Sequence, residues 1–307
     1  MIARWLQAIL AAEAIVLAAA ALLGLPAASA CTIVIAVVGG LFVLNFCAVV
    51  AIYTTLRLYA ATAALGGSDS GMLRRLWSAV GECLALLTQF MMIAPFERWW
   101  MGADALPALP ARTLPILLVH GYLCNRGLWW WLRRRLRANG LALATVNLEP
   151  PFASIDRFAT QLHRRVEALA EETGADQVVL VTHSMGGLAA RAYMLRHGAR
   201  RIAKLVTLAA PHRGTEVAFL GPGCNARQMQ PGSNFLRWLS TATTPAIALV
   251  ALWSRSDEFV VPHDSGRMPN AREYALPGLG HIAMTLSPTV LSILRKELTC
   301  VGGKGDQ

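Results

Sequence analysis

Val178-Val179-Leu180-Val181-Thr182-His183-Ser184-Met185-Gly186-Gly187-Leu188-Ala189 is the stretch whose reading decides the fold. Its aliphatic run reads as a buried strand, and the two glycines after Ser184 open directly into a helical pattern. The chain must therefore turn sharply at the serine. Strand, serine and helix in immediate succession form the context that a nucleophile elbow requires. The turn projects the Ser184 oxygen, and the helix N-terminus favours negative charge beside it. Gly186 lets the helix approach the strand closely. In the pattern G-x-S-x-G the first glycine is replaced here by Thr182, a β-branched residue that crowds the turn. The plainer alternative is a serine that merely caps a helix.

Outward from this segment, 114–119, 141–146, 178–181, 204–208 and 246–252 read as strands, and 127–138, 155–173, 185–197 and 288–298 as helices. The alternation predicts an α/β fold, a mainly parallel sheet with helices on both faces. On such a fold the acid and then the histidine follow the serine in the chain. His281, in Leu276-Pro277-Gly278-Leu279-Gly280-His281-Ile282-Ala283, comes after a short strand and a glycine-rich loop and is the candidate base. His120 and His183 sit in tight turns and read as loop braces. His163 and His197 lie on helices, while His212 and His263 occupy loops on the functional edge. Asp257, first after the strand that ends at Leu252, is the candidate acid that orients the imidazole. Glu258 and Asp264 are its alternatives, unless these are loop carboxylates paired with Arg255 or Arg267. An oxyanion needs two donors. The backbone N–H groups of Met185 and of Tyr122, in Val119-His120-Gly121-Tyr122-Leu123, are the candidates.

These motifs resemble the α/β-hydrolase superfamily, and most of all small bacterial lipases and esterases, including the minimal Bacillus-type lipase. The similarity runs from Leu117-Leu118-Val119-His120-Gly121 through His183-Ser184-Met185-Gly186-Gly187 to Ser256-Asp257 and Gly278-Leu279-Gly280-His281-Ile282. It implies carboxylic ester hydrolysis through an acyl-enzyme, with Ser184 as nucleophile, His281 as acid and base and Asp257 as its orienter. It implies no cofactor. Phospholipase A, thioesterase and acyltransferase chemistry use the same triad, and a catalytically silent membrane scaffold is the rival from another class.

Leu123, Phe219, Met229 and Phe235, the last three in the insertion 215–245, are candidate acyl-site residues; ordinary core is the alternative. Arg133, Arg134, Arg135 and Arg137 on one helix suit an anionic lipid surface or simply a solvated face. No nucleic-acid motif is present. The six cysteines are dispersed, with no C-x-x-C or His/Cys cluster to suggest a metal, and a Cys224–Cys300 disulfide requires export.

The rest of the chain differs in kind. Of 307 residues 55% are hydrophobic and only 15% charged, where a soluble domain carries roughly a quarter charged residues. That composition excludes disorder, collagen and a disulfide-dense mini-protein. Residues 1–110 hold Arg4, Arg57, Arg74, Arg75 and Arg98 against Glu13, Asp69, Glu82, Glu97 and Asp104, so the net +10 belongs wholly to the remainder. Leu6–Leu25 and Ile33–Tyr53 each have the length that crosses a bilayer core. A short uncharged link joins them, which predicts a transmembrane hairpin; a signal peptide cut after Ala28-Ser29-Ala30 is the rival. With the turn near Ser29, Glu13 and Asn45 fall at equal depth and are expected to pair, and Ala18–Ala21 is expected to face Gly39-Gly40.

Residues 72–94 are amphipathic, with Leu73, Leu76, Trp77, Val80, Leu84, Leu87 and Met91 on one stripe and Arg75, Ser78, Glu82 and Gln89 on the other. That suits a helix on the membrane surface or on the next domain, with a third crossing as the alternative. Arg4, Arg57, Arg74 and Arg75 favour a cytoplasmic N-terminus and loop. Two crossings then leave the catalytic part in the cytoplasm, and three export it. Pro107 and Pro110 close a linker. The expected organisation is a hairpin over 1–60, an amphipathic segment and linker over 61–110 and a hydrolase domain over 111–307, embedded in a bacterial inner membrane beside its lipid or acyl-ester substrate.

Overall fold

Long aliphatic runs flanked by glycine and proline can be buried on both faces only in a parallel sheet covered by helices. The computed structural model, which describes residues 1–24, 28–62, 72–104, 106, 114–241 and 246–299, has that arrangement. Strands β1 (Ile116–Val119), β2 (Leu143–Val146), β3 (Val178–His183), β4 (Ile202–Leu208), β5 (Ala248–Trp253) and β6 (Arg272–Ala275) form one sheet of order β2-β1-β3-β4-β5-β6. All of its pairings are parallel. β3 is buried at every position and sits third in the sheet, so its C-terminal end is central.

The helices are, in chain order, α1 (Ile2–Gly24), α2 (Ala30–Thr62), α3 (Met72–Leu87), α4 (Glu97–Met101), α5 (Trp130–Arg137), α6 (Ile155–Thr173), α7 (Met185–His197), α8 (Cys224–Met229), α9 (Asn234–Ser240) and α10 (Pro288–Thr299). α6 shows why these limits hold. The Ser154 hydroxyl accepts the Arg157 N–H at 3.2 Å and starts it, Gly174 at φ +66° ends it, and Ile155, Phe158, Leu162, Val166 and Leu169 are buried between. One core joins α6, α7 and α9 to the sheet; the opposite core joins α3, α5 and α10 to it. The predicted bounds 155–173 and 185–197 match, and β3 starts at Val178 as predicted, while the other four predicted strand starts shift by two residues.

α1 and α2 pack as a hairpin, and the expected polar pair forms: the Asn45 amide donates to Glu13 Oε2 at 2.9 Å. The small-residue contact differs from expectation. A Cβ on Gly40 would stand 3.0 Å from the Leu17 side chain, whereas nothing lies within 4 Å of Gly39. The Leu17 side chain fills the notch that Gly40 leaves, so the contact centres one residue before Ala18–Ala21. Both open ends of the hairpin rest on the α/β unit. The Gln7 amide donates to the Pro95 carbonyl, the Trp5 ring lies 5.6 Å from Phe152, and the Met1 ammonium pairs with Glu149. At the other end Tyr53 and Leu56 are buried, where α2 meets α3 and the turn Glu216–Leu220.

The described part of 61–110 is fastened to the α/β unit. Asp104 accepts the Thr145 N–H at 2.8 Å and pairs with Arg133 at 3.0 Å, and Glu97 accepts from Asn147. Pro107 and Pro110 lie outside the described residues.

The hairpin pair is expected to behave as a unit: Glu13→Ala and Asn45→Ala combined should show a coupling of roughly 0.5–2 kcal/mol. A double-mutant cycle on hairpin association in detergent measures it.

Candidate active site

The glycines around Ser184 are the foundation of the site. Ser184 holds φ +54°, a conformation that L-residues adopt at a cost of order 1–3 kcal/mol. The surroundings enforce it. A Cβ on Gly121 would stand 2.8 Å from the Ser184 Cβ, one on Gly186 2.7 Å from the His120 carbonyl oxygen, and one on Gly187 2.6 Å from the Ala210 Cβ. Each glycine therefore removes a clash, and together they bring the loop after β1 and the start of α7 against the serine. The Ser184 N–H donates to the Leu208 carbonyl at 2.8 Å, which fixes the turn from the β4 side. Thr182 does not crowd the elbow: its side chain turns under β4, where its hydroxyl donates to the Val206 carbonyl at 3.3 Å.

Asp257 follows β5 and is wholly buried, with its Oδ1 accepting the Phe259 and Val260 N–H groups at 2.9 and 3.0 Å. His281 Nδ1 donates to it, 2.8 Å from Oδ2 and 3.0 Å from Oδ1. Burial alone would raise the Asp257 pKa, but the imidazole and the N–H donors overcome this and hold the carboxyl below its ordinary value. Burial likewise opposes charge on His281, yet Asp257, joined by Glu82, holds its pKa above the ordinary 6.5. The His183 Nε2–H donates to the His281 carbonyl at 3.1 Å, and the two rings lie 4.6 Å apart. The base loop is thus tied to the residue next to Ser184.

The predicted braces have identifiable partners. The Leu148 N–H donates to His120 Nε2 at 2.9 Å, and His120 Nδ1 donates to the Gly121 carbonyl at 2.9 Å. Burial lowers the His120 pKa to about 4 and that of His183 to about 3, so both stay neutral. His163 and His197 stack on each other with centroids 4.2 Å apart. His212 is buried against the Thr207 hydroxyl, and His263 Nδ1 donates to the Val260 carbonyl. Asp264 is an exposed partner of Arg213, and Arg267 pairs with Glu273. Glu258 is buried beside Asp257 with no hydrogen-bond partner on either oxygen among the described residues, and burial raises its pKa well above the carboxylate range.

Met185 begins α7 next to the serine, and Tyr122 follows Gly121 on the facing loop. The Tyr122 hydroxyl donates to the Pro222 carbonyl at 2.6 Å, and its ring faces Phe152, which in turn faces Trp5. Leu123 adopts φ +54° on the same loop. Phe219 is exposed on the turn Glu216–Leu220 beside α2. Met229 and Phe235 are buried in the core that joins α6, α7 and α9.

One residue escaped the sequence reading. The periodicity assigns Glu82 to the polar stripe of an amphipathic helix, yet it is wholly buried, its Oε1 and Oε2 accepting the Ile282 and Ala283 N–H groups at 2.8 and 2.9 Å. The only local signal is a single carboxylate within an otherwise uncharged run.

A family model described as a PGAP1-like alpha/beta domain matches residues 154–225. The triacylglycerol lipase of Burkholderia plantarii is 31% identical over 126 residues, which cover 38% of this chain and 35% of that lipase. That of Pseudarthrobacter phenanthrenivorans is 32% identical over 117 residues, covering 35% of this chain and 36% of the lipase. The chain thus spans little more than a third of these relatives. A Bacillus licheniformis lipase in its mature form superposes with a TM-score of 0.57 at 16% identity, over 64% of this chain and 96% of that one. These likenesses show the α/β-hydrolase fold, with triacylglycerol lipases among the sequence relatives.

For His281 as the candidate base, which must be neutral to take a proton, the raised pKa predicts that activity is lost as pH falls through a value above the ordinary imidazole range. The acid limb of kcat/KM for ester hydrolysis is expected there. Asp257→Asn should lower kcat by roughly 10⁴-fold.

Proposed function

We propose that this chain, an α/β hydrolase by fold and a relative of lipases by sequence, is a membrane-anchored serine hydrolase that cleaves acyl esters of lipids. The observation that carries the reading is the buried Asp257–His281 pair, 2.8 Å apart and tied through His183 to a serine held at φ +54°. In the proposed reaction His281 Nε2 takes the Ser184 proton as Oγ attacks the acyl carbon. The oxyanion is held by the Met185 and Tyr122 N–H groups. The bond to the alcohol then breaks, and His281 returns the proton to the departing oxygen. Water, activated by the same imidazole, releases the acid and restores Ser184.

Three described helices, Ile2–Gly24, Ala30–Tyr59 and Leu73–Ile93, are long and apolar enough to cross a membrane. We assign crossings to the first two only. α3 presents Leu73, Leu76, Trp77, Val80 and Leu84 outward and buries Ser78 and Glu82, as the turn after it buries Gln89, the reverse of a helix facing water. A helix of that polarity, fastened to the domain through its polar side, suits the plane of the membrane interface. Trp5, Trp99 and Trp100 are exposed near the hairpin base, where interfacial tryptophans belong. Both hairpin ends rest on the hydrolase unit, and Arg4, Arg57, Arg74 and Arg75 lie on that side, which supports a cytoplasmic active site.

The substrate reading follows from position. The aromatic series Trp5, Phe152 and Tyr122 leads from α1 to the proposed oxyanion loop, and exposed Phe219 and Leu220 lie beside α2. We assign Leu123 and Phe219 to the acyl wall; the burial of Met229 and Phe235 supports a role beneath it.

A fluorophosphonate should label the detergent-solubilised protein and not its Ser184→Ala variant; a folded protein that resists labelling would exclude the enzyme reading. Across an ester series, long acyl chains should be hydrolysed faster than short soluble ones. The reverse order would reject the lipid substrate.

A further inference from the structure

We propose that Glu82, supplied by α3 from outside the hydrolase sheet, is a positioning residue for the proposed base His281, and that it makes the membrane-facing helix a part of the active site. The proposal deepens the function proposed above and rests on it.

The geometry is that of a clamp. Residues 280–283 wrap the Glu82 side chain. A Cβ at Gly280 would stand 2.8 Å from the Glu82 Cβ and Cδ, so only glycine admits the carboxylate so close to the loop. The two carboxylate oxygens then accept the next two free N–H groups, Ile282 at 2.8 Å and Ala283 at 2.9 Å. His281 lies between the glycine and these donors, so both flanks of its backbone are fixed by one side chain. Its carbonyl is held by His183 and its ring by Asp257, on two further elements. Three points of attachment leave the imidazole no freedom to swing, and catalysis by a general base is sensitive to displacements of about 1 Å.

The clamp is also a charge. His281 faces Asp257 from the loop after β5, His183 from the end of β3 and Glu82 from α3. Behind Glu82 stand Glu258, Cys83 of the same helix, and Tyr53 and Arg57 of α2. Burial and the neighbouring Glu82 and Asp257 carboxyl groups raise the Glu258 pKa. Burial also raises that of Glu82, against the Ala283 and Ile282 N–H groups and His281, which lower it. Asp257 and Glu82 are the two carboxyl groups that favour the charged form of the imidazole.

The purpose of placing such a group on α3 is legible in that helix's outer face. Leu73, Leu76, Trp77, Val80 and Leu84 are exposed, with Trp77 at 68%, while Glu82 is at 0%. One helix thus meets the proposed lipid surface on one side and holds the base loop on the other.

The test compares the full-length protein in detergent with its Glu82→Gln, Glu82→Asp and Glu82→Ala variants. Active sites are titrated with a fluorophosphonate, and kcat and kcat/KM are followed against pH on one ester. Glu82→Ala should lose roughly 10²-fold in kcat with little change in KM. Glu82→Gln, close to isosteric, should move the acid limb of kcat/KM to lower pH, and Glu82→Asp should move it back toward the wild type. Glu82→Gln with unchanged kcat and unchanged acid limb would overturn the proposal, even if Glu82→Ala fails to fold. A smaller titratable fraction with unaltered kcat per site and pH limb would also overturn it, because a purely structural role gives that result. A wild type that neither labels at Ser184 nor hydrolyses esters would instead sink the hydrolase reading on which the clamp rests.

Discussion

Everything at the centre of this molecule depends on backbone coming closer to backbone than side chains permit. The loop after β1, the end of β3 and the start of α7 converge on Ser184, and at Gly121, Gly186 and Gly187 a single added carbon would stand 2.6–2.8 Å from its neighbour. Packing at that density leaves the serine one conformation, φ +54°, which a free chain avoids. The sheet supplies the leverage. With β3 flanked by β1 and β4 in parallel register, three strand ends deliver their loops to the same edge. The strain is thereby borne by the core and not by any one contact.

The electrostatic arrangement follows from the same burial. Asp257, Glu258, His183, His120 and His281 are all withdrawn from water, and each would resist charge on its own. Backbone donors and the imidazole lower the Asp257 pKa, while Glu258, one residue on, finds no hydrogen-bond partner among the described residues and has its pKa raised by burial. Two adjacent acids in one loop are thus shifted in opposite directions. His183 and His120 stay neutral and serve as hydrogen-bonding struts. Of the three histidines only His281, facing Asp257, has its pKa raised above the ordinary value, which suits the base proposed for it.

The N-terminal helices are long and apolar enough to cross a membrane. Where α1 and α2 meet, a polar pair is satisfied internally, Asn45 to Glu13, an arrangement that suits the crossings proposed for them. α3 buries Ser78 and Glu82, with Leu86 and Leu87, on the hydrolase unit and turns Leu73, Leu76, Trp77 and Leu84 outward. The tie to Ile282 and Ala283 runs across that junction, so the hydrophobic third of the chain is joined to the α/β unit by buried hydrogen bonds as well as by sequence.

Much of this was legible in the order of residues. The succession Val178–His183, Ser184, Gly186-Gly187 forces a strand–turn–helix through local backbone sterics. The α/β alternation implies the parallel sheet, and the sequence order of serine, acid and histidine pointed to Asp257 and His281. Equal depth in the hairpin was enough to pair Glu13 with Asn45, because two antiparallel helices of known rise leave little choice. Tertiary structure alone decided the rest. A periodic pattern over 72–94 defines two faces but does not say which solvent each will meet, and packing on the hydrolase unit turned the polar one inward. Thr182 escaped the predicted clash only because β4 offered it a carbonyl. The small-residue contact fell on Leu17 because side-chain length, which periodicity ignores, set the register. Sequence by itself determined the elements and the chemistry that local backbone imposes. Which distant group completes a buried site depended on the fold, because hydrogen-bond partners 200 residues apart, such as Glu82 and Ile282, have no local signature.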